Sequence, residues 1–127
     1  MKRFQQMYDG KTIEDDGCYM SDEAKKFVTA FRSMLKRMLP DCKVTIKAGH
    51  YDLYGFVSRN GYTEYISYSI PRYRQPIRFD ETGAMNGVLY RSAKDVHDFH
   101  GGQNHFCSIL DLPAAVETAL EWQEKHN

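Results

Sequence analysis

The residue types best suited to chemistry gather in Lys94–His105, KDVHDFHGGQNH, where His97, His100 and His105 stand close to Asp95 and Asp98. Imidazoles and carboxylates at this density are the donors that hold transition metals, and a metal here would make hydrolysis or nuclease chemistry conceivable. The spacing follows no closed zinc pattern and no helix sets two of the histidines on one face, so a solvated polar loop is the competing reading. Gly101-Gly102 followed by Gln103 and Asn104 offers something different. Consecutive glycines can turn successive backbone N–H groups toward one anion, and the two amides can read a base or ribose edge; the alternative is a plain tight turn. Arg72, Arg74 and Arg91 are candidates to hold phosphate, and the aromatic pair Phe56 and Tyr65 is a candidate stacking platform for a base. Together these nine residues, Phe56, Tyr65, Arg72, Arg74, Arg91, Gly101, Gly102, Gln103 and Asn104, make a candidate ligand-binding set for a nucleotide or small phosphorylated molecule.

Signs of nucleophilic catalysis are poor. GxSxG and P-loop patterns do not occur, and Cys107 is the one cysteine near a histidine, His105, with which it would share a strand face. Asp15-Asp16 and Asp80-Glu81 read as turn charges rather than paired catalytic carboxylates. No catalytic residue and no cofactor is therefore assigned. The 17 basic and 17 acidic residues cancel, which argues against non-specific duplex binding driven by counterion displacement. Three widely spaced cysteines form no disulfide or zinc framework, and the opening MKRFQQMYDGK lacks the apolar stretch of a secretory leader. A cytoplasmic location follows as the expectation, with no membrane role, because no apolar run approaches the ~20 residues of a spanning helix.

The elements that must position these residues centre on Tyr51–Ile70, YDLYGFVSRNGYTEYISYSI. Aromatic and β-branched residues alternate on both sides of Asn60-Gly61, a pair suited to a type I′ turn because both positions need φ > 0. Pairing Arg59 with Tyr62 sets Val57 against Glu64, Gly55 against Ile66 and Leu53 against Tyr68 on a greasy face, and Phe56 against Tyr65 on the other. Ser21 predicts the N-cap of a helix that Pro40 stops, with Phe27, Phe31, Met34, Leu35 and Met38 as its apolar stripe. Cys42–Ala48 and Gly87–Ala93 read as strands, Phe106–Leu110 as a short one. Segment 71–86 reads as loop with a short edge strand near Ile77–Phe79. A last helix begins at Asp111, with Leu112, Val116, Ala119 and Leu120 inward and Trp122 broadening the stripe. Residues 1–20 read as an irregular arm or weak hairpin, suited to packing on a neighbouring subunit.

The expected fold is α+β in a single domain over 1–127: an antiparallel sheet of four to five strands around the Asn-Gly hairpin, covered by an N-terminal and a C-terminal helix. Helix, strands and helix also suggest a double-stranded-RNA-binding domain, but such domains begin their last helix with lysines on the phosphates. Here that helix begins DLPAAVE.

Over residues 23–120 the helix ending in MLP, GHYDLYGFVSRNG, SYSIPRY, NGVLYRSAKD and HGGQNHFCSIL resemble small uncharacterised proteins of phages and integrative elements of Firmicutes. Some proteins of that setting resemble anti-defence factors. The resemblance implies a non-enzymatic protein acting in the host cell cytoplasm that sequesters a cyclic nucleotide immune signal, as in Thoeris or cyclic-oligonucleotide systems, with its pocket at a homo-oligomer interface. An anti-CRISPR-type inhibitor whose partner is a host defence protein is the second expectation, and a metal-dependent hydrolase using the histidine loop is the third.

Overall fold

The computed structural model describes residues 1–14, 21–71 and 75–126. Its centre is the predicted hairpin, β2 (Asp52–Arg59) and β3 (Tyr62–Ser69), turning through Asn60 and Gly61 at φ of 53° and 83°. The register is the expected one, with Arg59 opposite Tyr62, Val57 opposite Glu64 and Phe56 opposite Tyr65. β1 (Lys43–Ala48) pairs with β2 on one side, β4 (Val88–Ala93) with β3 on the other, and β5 (His105–Cys107) completes the antiparallel order β1-β2-β3-β4-β5. At Gly55 a Cβ would collide with the Thr45 carbonyl, so glycine is what lets β1 and β2 close up there.

Two helices cover the face carrying Val44, Ile46, Leu53, Val57, Ile66, Tyr68 and Val88, all buried. α2 (Asp22–Met38) lies against β1, and α3 (Leu112–His126) against β3 and β4. The start of α2 is the predicted one: Ser21 Oγ accepts the Ala24 N–H at 3.1 Å, while Asp22 and Glu23 sit in the first turn, where the helix dipole favours negative charge. Its stripe differs at the C-terminal end. Met38 is exposed and Leu39 is buried in its place, because Leu39 stands one helical turn beyond Leu35 on the inward line.

The opening segment is not an irregular arm throughout. Lys2–Tyr8 forms a short helix, α1, that packs on its own chain. Phe4 is buried and meets Phe31 and Phe79 edge-on with ring centroids 6.0 and 5.2 Å apart, and Tyr8 meets Phe27 at 5.0 Å. A helix this short is marginal in isolation, so the aromatic cluster stabilises it. Beyond Gly10, at φ of 74°, the chain bonds to the segment expected as an edge strand: Gly10 N–H donates to the Ile77 carbonyl and Ile77 N–H to that of Lys11. That segment makes one bridge, Thr12 to Pro76, rather than a strand, and it buries Ile77 and Phe79.

α3 shows the clearest departure. Leu112, Val116 and Leu120 face inward as predicted, but the next residue on that line is Gln123, which is buried, while Trp122 is 57% exposed. Arg59 ties the hairpin tip to this helix through Glu124 at 3.2 Å and Glu117 at 3.9 Å, and Asn60 Nδ2 also donates to Glu124. None of the described helices is long and apolar enough to cross a membrane.

Candidate functional site

The seven described residues of the predicted ligand set do not converge on one place. Phe56 and Tyr65 do form a cross-strand pair, with ring centroids 5.4 Å apart, on the sheet face away from the helices. Phe99, from the loop after β4, is seated on them, 5.2 Å from Phe56, 6.0 Å from Tyr65 and 6.3 Å from Tyr54. Phe56 is consequently only 4% exposed. Arg91 lies with its guanidinium 4.5 Å from the centroid of the Tyr65 ring and donates to the Phe99 carbonyl and to Asn104 Oδ1, the latter at 3.1 Å. The arginine thus holds the loop that covers the aromatic pair.

The glycine pair has a comparable outcome. An anion does sit among the backbone N–H groups of this loop, and it is the carboxylate of Asp98, which accepts from Gly101 at 2.8 Å, Lys94 at 3.0 Å and His100 at 3.2 Å. These bonds hold the Asp98 carboxyl below its ordinary pKa. Gly102 has φ of 81° and presses on the Ser92 carbonyl so closely that a Cβ would collide with it. Arg72 and Arg74 lie outside the described residues.

The histidines are likewise dispersed. Asp95 accepts the His97 N–H at 2.8 Å, so that carboxylate shapes the loop, and His105 stands on β5 with its ring 5.3 Å from Tyr90. Among the described residues no group of three or more His, Cys, Asp or Glu side chains is placed to hold a metal ion. Burial pushes the Cys107 thiol up to about 11, which leaves it a weak nucleophile beside His105.

Arg91 Nε on the open face is buried without a hydrogen-bond partner, and a second such atom lies on the helix-covered face, where α3 crosses β3 and β4. A groove of about 780 Å³ opens there between Tyr90, Ser92, Gln103 and His105 on the sheet side and Ala115, Ala119 and Trp122 on the helix side. Glu64 lies at its base, 1% exposed. One carboxylate oxygen, Oε2, accepts from Ser92 Oγ at 2.8 Å and from Gln123 Nε2 at 2.5 Å, and that same amide also donates to the Thr63 carbonyl at 2.9 Å. The other oxygen, Oε1, is buried and has no hydrogen-bond partner. Leaving a buried acceptor unpaired costs roughly 1–3 kcal/mol, more when it is charged, so such an atom calls for an explanation.

Burial raises the Glu64 pKa, while the bonds from Ser92 and Gln123 and the nearby His105 act in the opposite direction. Of the predicted set, Gln103 belongs to this groove, and Gly101 and Gly102 line an adjoining depression that shares Ser92 and Trp122 with it. Glu64, Tyr90, His105 and Trp122 were outside the predicted ligand set. The signal for Glu64 was present: Tyr62, Glu64, Ile66 and Tyr68 alternate onto the greasy face, and a carboxylate in that phase is a buried charge in need of a reason. No family model, no curated protein and no solved structure matches this chain.

Proposed function

We propose that this chain is a binding protein rather than a catalyst, and that it captures a small nucleotide in the groove between α3 and the β3–β5 end of the sheet. The observation that carries this reading is the unpartnered Oε1 of Glu64 at the base of a groove walled by aromatic rings. Sites for small molecules combine largely apolar walls with a few convergent polar groups, and the rings of Tyr90 and Trp122 both line this groove. Trp122 supports the same reading: it is 57% exposed at the rim of the groove, and its ring already stacks on His126 with centroids 4.3 Å apart, a stack that a base would extend.

The role follows from the resemblance to mobile-element proteins: sequestration of a cyclic nucleotide immune signal. Titration calorimetry of the purified chain against cyclic ADP-ribose variants and cyclic oligonucleotides tests it. Heat with saturation for at least one of them is expected, and Trp122→Ala should weaken that binding by about tenfold. Absence of heat for every compound would overturn the proposal.

A further inference from the structure

The groove carries a charge pattern at odds with a phosphate pocket. Its ionisable lining among the described residues consists of the carboxyls of Glu64 and Asp111, the imidazole of His105 and the phenol of Tyr90, with neither lysine nor arginine. A phosphate placed there would meet two acids without a fixed countercharge. Arg91, the arginine on the neighbouring strand, is on the opposite face, committed to Tyr65, Phe99 and Asn104.

The free atom at the base sharpens the chemistry. Glu64 Oε2 already accepts from Ser92 and Gln123, so Oε1, itself shielded from solvent, is the oxygen with acceptor capacity left. As a carboxylate oxygen it accepts and cannot donate. Adenine and cytosine offer an amino donor flanked by ring-nitrogen acceptors, whose lone pairs a carboxylate oxygen repels. Uracil offers one N–H between two carbonyls. Guanine offers N1–H and the exocyclic N2–H side by side, with no acceptor between them. Its edge is the one that gives a single carboxylate oxygen two adjacent donors, with the O6 acceptor on the far side of N1–H.

Resting on the reading that the ligand is a nucleotide, we propose that the groove takes the base and leaves the phosphate outside, and that Glu64 selects guanine by accepting its N1–H and N2–H edge. Tyr90 and Trp122 hold the ring without choosing among bases, because every base has a π-face.

The test is calorimetric titration of the full chain with guanosine monophosphate, adenosine monophosphate, guanosine and inorganic phosphate. The inference expects guanosine monophosphate to bind about tenfold or more tightly than the adenosine compound. It also expects guanosine to retain most of that affinity and phosphate not to compete. Glu64→Gln should remove the preference between bases, whereas Trp122→Ala should weaken both nucleotides alike. The comparison of the two monophosphates on the wild-type chain keeps the test decisive should the Glu64 variant fold poorly. Equal binding of the two monophosphates, or displacement of guanosine monophosphate by phosphate, would overturn base reading by Glu64 and leave nucleotide capture standing. If none of these nucleotides or the cyclic ones binds, both fall together.

Discussion

The two faces of the sheet treat their polar and aromatic groups in opposite ways. On the open face the chain supplies its own ligands: Phe99 stacks on Phe56 and Tyr65, Asp98 occupies the cluster of loop N–H groups, and Arg91 bonds to the Phe99 carbonyl. On the helix-covered face Glu64 keeps an oxygen without a partner beneath an aromatic groove. Several of the described residues that look most like a nucleotide site in the sequence are engaged within the chain, Arg91 in part, since its Nε stays buried without a partner. Groups already paired within the chain have no free energy left to offer a ligand unless the loop first opens, whereas an unpaired buried acceptor gains from the first donor that reaches it.

That contrast can be broken by substitution, most forcibly on the open face. Phe56→Ala should lower the unfolding free energy by about 3–5 kcal/mol, the usual range for a buried phenylalanine, as measured by urea titration. Nucleotide affinity measured on the folded fraction should hardly change. A collapse of affinity with little loss of stability would mean that the aromatic pair is a ligand platform after all.

Phe99→Ala is milder, because that ring is 39% exposed, and should cost roughly 1–2 kcal/mol. Its signature is local: the amides of Lys94, His100 and Gly101, now held by Asp98, should exchange with deuterium faster while those of β2 and β3 keep their protection. Uniform loss of protection across the sheet would show the loop to be part of the cooperative core instead.

Glu64→Gln is expected to have the smallest effect on stability and the most informative pH dependence. The folded-state pKa of Glu64 lies above the 4.5 of a free carboxyl, so between those values the native chain retains a proton that the unfolded chain has lost. Stability from this group is therefore complete below 4.5 and declines as pH rises through the folded value. The variant should flatten that decline in a series of urea midpoints and leave stability at neutral pH within ~1 kcal/mol of wild type, or higher. A loss of several kcal/mol at neutral pH would mark Glu64 as a structural anchor.

Much of the architecture was legible because local chemistry and long-range packing agree. Asn60-Gly61 admits one tight turn, the alternation on either side admits one register, and Ser21 with Asp22 and Glu23 marks a helix start that tertiary contacts reinforce. α1 was illegible for the opposite reason, since its seven residues are held by partners as distant in sequence as Phe79. Trp122 was expected to broaden the buried stripe because an apolar ring favours burial, whereas helical phase after Val116 and Leu120 turns Gln123 inward instead. Phe99 was overlooked as a lone aromatic in a polar run, and nothing local announces which face such a loop will cross.

What the sequence by itself determined is therefore the α+β class, the hairpin register and the two long helices, all properties of turn chemistry and periodicity. What tertiary structure alone decided is which hydrogen-bonding groups remain unpaired. That outcome depends on where a loop and a helix land on the sheet: the loop carrying Asp98 and Phe99 satisfies Arg91 in part and Asp98 fully enough to depress its pKa, while α3 brings Gln123 to one oxygen of Glu64 and leaves the other unpaired. Periodicity can assign a side chain to a face, but the pairing of a buried carboxylate is settled by atoms that are dozens of residues apart along the chain.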